Sequence, residues 1–373
     1  MKKILIIHTA LPPYRVDFFN DVARQIPGLH IFFLLGEMPC HHIPFEAFDV
    51  HFEYTIGTRK RFKQWEPLRV AIRVLPSLVK TVIKQQPGIV ITSEFGVLTL
   101  LMALYCRLFR IRHIAFTDAS LDNMLNDRGR KLRRELVLKM TNGLIVCNSY
   151  AKEHFQSRLP YKVESIEILQ KEAVFISGLR DSVPVANEYI QQYHLLGKKV
   201  LLFVGRLVGE KNIPALIRAF ARLDDDCAVL VLVGSGVLEG ELRSLVETLD
   251  IANRVVFTGA QRRERLGAWY LLGGLFVLPS ISEPFGAVVN EALLAGMPVL
   301  CSKYAGAACL IKEGCNGEVF NPDDAAGFAR SLVSWAEELP KVVRCESVRN
   351  SLMQHRYDDV VTKFVEVCRG QMG

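Results

Sequence analysis

Short apolar runs of strand length recur along the chain, each followed by a stretch whose apolar positions repeat at helical spacing. In the first half they fall near residues 3–7, 29–35, 88–91, 113–116, 143–147 and 162–168. In the second half they fall near 199–204, 228–233, 254–257, 275–278 and 299–301, with a shorter one at 318–320. Alternation of this kind predicts an α/β protein with parallel sheets covered by helices. The pattern lapses between about Leu169 and Gly197, around Ser182, Val183 and Pro184. The expectation is therefore two Rossmann-like, doubly wound domains, residues 1–175 and 190–350, facing a cleft where a ligand binds. A last amphipathic stretch within 351–373 carries Tyr357, Val360, Val361, Phe364 and Val365 on one face.

The 373 residues suffice for two domains, and with half of them apolar and 23% charged the chain can build sizeable cores. The opening MKKILIIHTA imitates a signal peptide, but its apolar run is short and His8 ends it, so it reads as a first strand. The uncharged run from Phe95 to Cys106 falls well short of the roughly 18–20 residues that span a bilayer and reads as a buried helix. Nine scattered cysteines without CxxC pairs fit a reducing cytoplasm, with no disulfide framework and no zinc site. Residues 1–180 hold 26 Lys+Arg against 16 Asp+Glu, whereas the whole chain carries only +7. The basic half includes Arg59, Lys60, Arg61, Phe62, Lys63, Gln64 and Trp65, then Arg69, Arg73, Lys80 and Lys84. That mixture suits peripheral contact with an anionic membrane on its inner face, or simply a solvated helix face. No motif supports nucleic acid as the partner.

The densest chemistry lies in PSISEPFGAVVNEALLAGMP, residues 279–298. After the apolar run ending at Leu278, Glu283, Pro284 and Phe285 are expected to open a helix, with Glu291 about two turns down it. Seven or eight helical residues rise about 10–12 Å, roughly the reach from a sugar across a diphosphate to a ribose. Free N–H groups around Phe285, Gly286 and Ala287 would face an anion between the two carboxylates, and Gly286 keeps the approach open. FVGRLVGEKN places Gly205 at a strand exit, with Arg206 and Lys211 five apart, two cations where a departing nucleoside diphosphate gains charge. Gly234 and Gly236 make a G-x-G turn, and the missing third glycine argues against a dehydrogenase. Asp224, Asp225 and Asp226 offer D-x-D, but between a helix and a strand they read as a solvated turn, so no metal is required.

The run Pro279, Ser280, Glu283, Phe285, Gly286, Glu291, Ala292, Gly296, Pro298, Val299 resembles the signature of the family 4 (group 1) glycosyltransferases. The R-x4-K spacing of Arg206 and Lys211 resembles that family's diphosphate clamp. The resemblance covers nearly all of 198–320 and is one of architecture over 1–180. It implies the GT-B fold, with the C-terminal domain binding the donor, the N-terminal domain the acceptor, and a last helix crossing back onto the first domain. It also implies a retaining hexosyltransferase using a UDP- or GDP-linked sugar and no other cofactor. In that reading Arg206, Lys211 and the helix N-terminus stabilise the leaving diphosphate, Glu291 holds the ribose and Glu283 touches the transferred sugar. The Gly234–Gly236 loop borders the donor pocket, and Gln261 and Arg262 approach the base. The acceptor is expected to be a glycan or lipid-linked, as in envelope polysaccharide or lipopolysaccharide synthesis.

The first half departs from the family pattern. Where relatives carry Gly-Gly after the first strand, this chain has Leu11, Pro12, Pro13, Tyr14 and Arg15. Arg15 either replaces backbone contacts to the donor phosphates or lies on the surface. Asp118, in Phe116, Thr117, Asp118, Ala119, Ser120, stands near where relatives place a His and is a candidate to act on the acceptor hydroxyl. His8 and His113 read as structural. Gln170, Lys171 and Glu172 replace the family's Asn-x-x-Asp. A nucleotide-sugar epimerase of the same fold and a non-catalytic partner subunit are the alternative functions.

Overall fold

The computed structural model describes residues 3–37, 45–60, 67–118 and 128–370. The chain divides into two compact units, Met1–Leu169 with Tyr357–Gly373, and Gln170–Arg356. Arg61 to Trp65 of the basic stretch, and Ala119 and Ser120, lie outside the described residues.

The first unit contains β1 (Ile4–His8), α1 (Val16–Gln25), β2 (Leu29–Leu35), β3 (Glu53–Thr58), α2 (Pro67–Gln85), β4 (Ile89–Ser93) and α3 (Val97–Leu108). It continues with β5 (Arg112–Thr117), α4 (Arg128–Met140), β6 (Gly143–Val146), α5 (Ser149–Gln156) and β7 (Val163–Ser165). The strands form a parallel sheet in the order β3-β2-β1-β4-β5-β6-β7. Every residue of β1 is buried, which is why its apolar run carries no alternation. The polar edge strand β3, EYTIGT, is half exposed and escapes a search for apolar runs. Asn148 starts α5 by accepting the Ala151 N–H at 2.8 Å.

The second unit opens with α6 (Glu172–Asp181) and α7 (Val183–Gln192), followed by β8 (Lys199–Val204), α8 (Ile213–Phe220), β9 (Ala228–Val233) and α9 (Glu239–Thr248). Then come β10 (Val255–Gly259), α10 (Glu264–Leu272), β11 (Leu275–Leu278), α11 (Ala287–Leu294), β12 (Val299–Ser302), β13 (Gly317–Phe320) and α12 (Ala325–Glu337). Its parallel sheet runs β10-β9-β8-β11-β12-β13. The last helix, α13 (Tyr357–Arg369), belongs to the first unit. There Phe364 packs edge-on to Phe18 at 5.1 Å, and the Tyr357 hydroxyl donates to Asp21 at 3.0 Å.

Two expectations change. The lapse around Ser182–Pro184 is a junction between helices, because Pro184 sits in the first turn of α7, where its missing N–H costs nothing. Both helices pack on α10, whose Trp269 is buried beside Tyr189 and Tyr193 at ring separations of 4.8 and 5.1 Å. The run Phe95–Cys106 is not a wholly buried helix. In α3, Leu98, Met102 and Cys106 face the core, while Leu101 and Leu104 are exposed.

Arg349 ties helix ends together through three carbonyls, those of Gly273 (2.7 Å), Tyr270 (2.8 Å) and Ala295 (3.2 Å), just past or within the last turns of α10 and α11. A cation there satisfies acceptors that have no intrahelical donor. Arg349→Ala should cost about 2–3 kcal/mol, read as a fall in the denaturant midpoint of the second unit; an unchanged midpoint contradicts the clamp.

Candidate functional site

Strand order reverses between β8 and β11 in the second unit, so the helices on either side of that point go to opposite faces. The crevice at the carboxyl ends of those strands is where ligands bind in open α/β sheets. The loops that enter it carry Gly205, Arg206 and Lys211 after β8, and Ser280 to Gly286 after β11.

The loop after β8 is clasped by the loop after β9. Leu207 N–H donates to Ser235 O at 3.0 Å, and Leu238 N–H donates to Leu207 O at 3.1 Å. A Cβ on Gly234, whose φ is +145°, would stand 1.8 Å from Gly205 O, and one on Gly236 would stand 2.3 Å from Leu207 O. These glycines therefore let two backbones touch. Arg206 is left exposed, while Lys211 folds inward and pairs with Glu283, their side chains only 14% and 12% exposed. Sequence spacing put Lys211 beside Arg206, and only the fold joins it to Glu283.

The helix expected to open at Glu283 begins at Ala287 instead, because Gly286 at φ +93° lies outside helical space and caps it. Glu283 stands in the loop, where Gly306 N–H donates to its carbonyl at 3.1 Å, and Ala307 N–H donates to Phe285 O at 2.6 Å. Glu291 is about one turn into α11. Its Oε2 accepts from the Tyr270 hydroxyl at 2.6 Å and its Oε1 from Gln170 Nε2 at 3.1 Å. Burial raises the Glu291 carboxyl above its usual range, with those two donors acting in the opposite sense. Gln170 N–H also donates to Asn290 at 2.7 Å, so the residue replacing the family's Asn is anchored at Glu291. Tyr270 carries no sequence signal, since it reads as one more apolar position of α10. The hydroxyls of Ser280 and Ser282 are buried with no hydrogen-bond partner, in the loop where a ligand's polar groups would lie.

Gln261 donates to its own turn, at Thr258 O, 2.7 Å, and Arg262 is exposed. Asp225 forms the expected turn, accepting from Cys227 N–H at 2.8 Å and pairing with Lys199 at 3.1 Å.

In the first unit the order reverses between β1 and β4, and a cavity of about 170 Å³ lies at that point. Its lining is His8, Thr9, Ala10, Pro12, Tyr14, Ser93, Glu94, Phe116 and Asp118. Arg15 is no surface residue: it is 2% exposed, bonds Asp118 at 2.9 Å and lies 4.8 Å over the Phe116 ring. Asp118 follows β5 and its N–H donates to Glu94 at 3.1 Å. Glu94 was not singled out by sequence. Burial and the neighbouring Asp118 raise its carboxyl to about 7. Burial and the Arg15 charge lower His8 to about 4, so it is neutral at pH 7; it packs against Phe19 and Phe33 and also lines the cavity. His113 is structural, its Nε2 2.9 Å from the Thr92 hydroxyl.

Residues 186–347, most of the second unit, match the model of the glycosyl transferases group 1. Over 143 residues the chain is 41% identical to an uncharacterized glycosyltransferase of Methanocaldococcus jannaschii, covering 37% of each protein. Over 165 residues it is 31% identical to the lipopolysaccharide core biosynthesis glycosyltransferase LpsE of Rhizobium meliloti, covering 44% of this chain and 45% of that protein. The chain thus spans under half the length of these curated relatives. A solved structure of Anabaena HepE in complex with UDP superposes over 99% of this chain and 100% of its own, with a TM-score of 0.68 at 17% identity. The fold is GT-B, two Rossmann-like units built on parallel sheets.

Gly234→Ala should force the two loops apart, costing about 3 kcal/mol or more, and should be visible as a lower thermal midpoint. Ala at Gly240, within α9 and where an added Cβ meets nothing within 4 Å, is the control that should melt no lower than wild type.

Proposed function

We propose that the protein is a retaining, metal-independent hexosyltransferase that moves a sugar from a UDP- or GDP-linked donor to a glycan or lipid-linked acceptor. The observation that carries this reading is the Lys211–Glu283 pair, which a group 1 segment sets at the strand-order reversal of its sheet. Arg206 and Lys211 neutralise the diphosphate as the glycosidic C–O bond breaks, assisted by the free N–H groups at the start of α11. Gly205, Gly234 and Gly236 let the backbone approach the donor, and Phe285, Gly286 and Ala287 face its phosphates. Glu291, oriented by Tyr270 and Gln170, holds the ribose hydroxyls. Glu283, its carboxylate fixed by Lys211, touches the transferred sugar. Gln261 and Arg262 are assigned to the nucleobase. With attack on the face the diphosphate leaves, the departing phosphate oxygen takes the acceptor proton, and the anomeric configuration is retained. The lipopolysaccharide relative supports an envelope-glycan acceptor, and the UDP complex of a structural neighbour supports UDP as the first nucleotide to try.

Arg206→Ala and Lys211→Ala should each lose about 10²–10³-fold in turnover, as when a donor to a developing anion is removed. Titration calorimetry with UDP, GDP and ADP should find one that binds wild type and fails to bind the double variant. Near-normal turnover in Arg206→Ala, which breaks no ion pair among the described residues, would sink the clamp; failure of all three nucleotides to bind wild type would favour a partner subunit.

The acceptor class carries a location with it. Among the described residues no helix is long and apolar enough to cross a membrane. Along α2, Leu68, Ile72, Leu75, Val79 and Ile83 form an exposed stripe, Ile72 and Ile83 at 66% and 67%. Arg69, Arg73, Lys80 and Lys84 share that helix, and the neighbouring α3 exposes Leu104 and Leu108. An apolar stripe with basic flanks fits peripheral docking on an anionic bilayer. Sedimentation with vesicles containing phosphatidylglycerol should carry the protein down, and neutral phosphatidylcholine vesicles should not. Ile72→Asp with Ile83→Asp should abolish the binding, and undiminished sedimentation of that variant rejects the stripe as the docking face.

A further inference from the structure

The two units carry nearly the same short sequence at the same topological place. In the second, Ser282-Glu283-Pro284-Phe285-Gly286 follows β11, and Gly286 caps α11. In the first, β4 ends in Ser93, Glu94-Phe95-Gly96 follows, and Gly96 caps α3. Both strands stand next to the first strand of their sheet, at the reversal of strand order. In each unit the loop after that first strand supplies a cation, Lys211 in one and Arg15 in the other. Glu94 is thus the counterpart of Glu283, with one difference: Lys211 pairs with Glu283 itself, whereas Arg15 pairs with Asp118.

That difference sets the charge of the cavity at Glu94. Arg15 and Asp118, 2.9 Å apart, cancel one another, and His8 is neutral. Among the described residues the other polar side chains lining it, Thr9, Tyr14 and Ser93, are uncharged. The Thr117 hydroxyl and the Asp118 N–H each donate to the Glu94 carboxylate at 3.1 Å, one to each oxygen, which leaves lone pairs on both. Ionised Glu94 therefore makes the cavity acidic, with no unpaired cation for a phosphate among the described residues that line it.

Two further observations mark a binding site. His8 is 8% exposed and lines the cavity with only a weak backbone contact at Ala10, and Ser93 Oγ has no hydrogen-bond partner. Buried polar atoms are almost always satisfied, so these are open to a ligand. Glu94 itself is held at φ +63°, in the left-handed region that non-glycine residues avoid, with its N–H bonded to Phe116 O at 2.7 Å. The cavity's volume of about 170 Å³ accommodates five or six waters at ~30 Å³ each, comparable to a single pyranose ring. Phe116 and Pro12 supply apolar wall against which a ring can lie.

The geometry points to this cavity as a subsite for an uncharged, polyhydroxylated sugar ring, with Glu94 as the residue that accepts hydrogen bonds from its hydroxyls. The term acceptor for that ring rests on the transferase reading; the binding itself does not. Protonated Glu94 loses acceptor capacity for hydroxyls, so binding weakens as the pH falls through about 7. The sign for stability is opposite. A carboxyl raised above its unfolded range weighs against folding once ionised, so its burden is absent below the unfolded value and complete above the folded one.

The test uses the full chain and saturation-transfer NMR with the methyl α-glycosides of glucose, mannose and galactose, and with inositol 1-phosphate. At pH 8 at least one methyl glycoside should bind, and inositol 1-phosphate should not. Glu94→Gln should weaken the glycoside about tenfold or more at pH 8, as expected for losing a charged hydrogen-bond acceptor, and wild type at pH 6 should weaken in the same direction. Glu94→Gln should also melt higher than wild type at pH 8.5 and alike at pH 5, which checks the cost of ionising Glu94 separately from its part in binding. Failure of every glycoside, tighter binding of the phosphate, or an unaltered affinity in Glu94→Gln overturns the proposal. Calorimetry with UDP, GDP and ADP on the same samples separates the two readings. Glycoside binding without nucleotide binding would undo the transferase assignment alone, and the reverse would undo the sugar subsite alone.

Discussion

Both units depend on one topological constraint, the point where strand order turns back on itself. A parallel sheet wound outward from its middle must send one crossover helix to each face, so the loops leaving the two central strands diverge. Whatever side chains those loops carry are left at the sheet's carboxyl edge. In the second unit they are Arg206, Lys211 and Glu283; in the first they are His8, Glu94 and, close behind, Arg15. The rest of each unit serves mainly to hold that edge. Buried strands such as β1 and β9 fix its position, and Arg349 ties helix ends together at the opposite, amino edge of the second unit's sheet.

Within that frame the two sites solve the burial of charge differently. The second pairs Lys211 with Glu283, so the acid that meets a ligand is itself compensated, and the exposed Arg206 keeps its full charge for an anion. The first spends its cation on Asp118, so Glu94 is left to bear desolvation with only neutral donors. A carboxylate without a cation binds hydroxyls and repels phosphates. The two units thus differ in which acid the cation faces, Glu283 in one and Asp118 in the other.

Much of the second site was legible in the chain because its determinants are local. Gly234, Gly236 and Gly286 are needed where backbones touch or φ is positive, and such requirements fix residue identity at single positions. Arg206 and Lys211 lie in one loop. Glu283 and Glu291 were legible as residues, but the helix joining them was misplaced by four positions, since Gly286 can end a loop as readily as continue a helix. Tyr270 and Gln170 were invisible as partners of Glu291, being 21 and 121 residues away from it.

The sequence by itself determined the α/β alternation, nearly every core strand, and the resemblance of its second half to the group 1 glycosyltransferases. Each of these rests on periodicity or on steric demands made within a few residues. Only the tertiary structure decided that Lys211 faces Glu283, that Arg15 is buried against Asp118 from 103 positions away, and that Glu94 shares a cavity with His8. Charge acts through space and through the local absence of water, and neither distance nor desolvation is written in the order of residues.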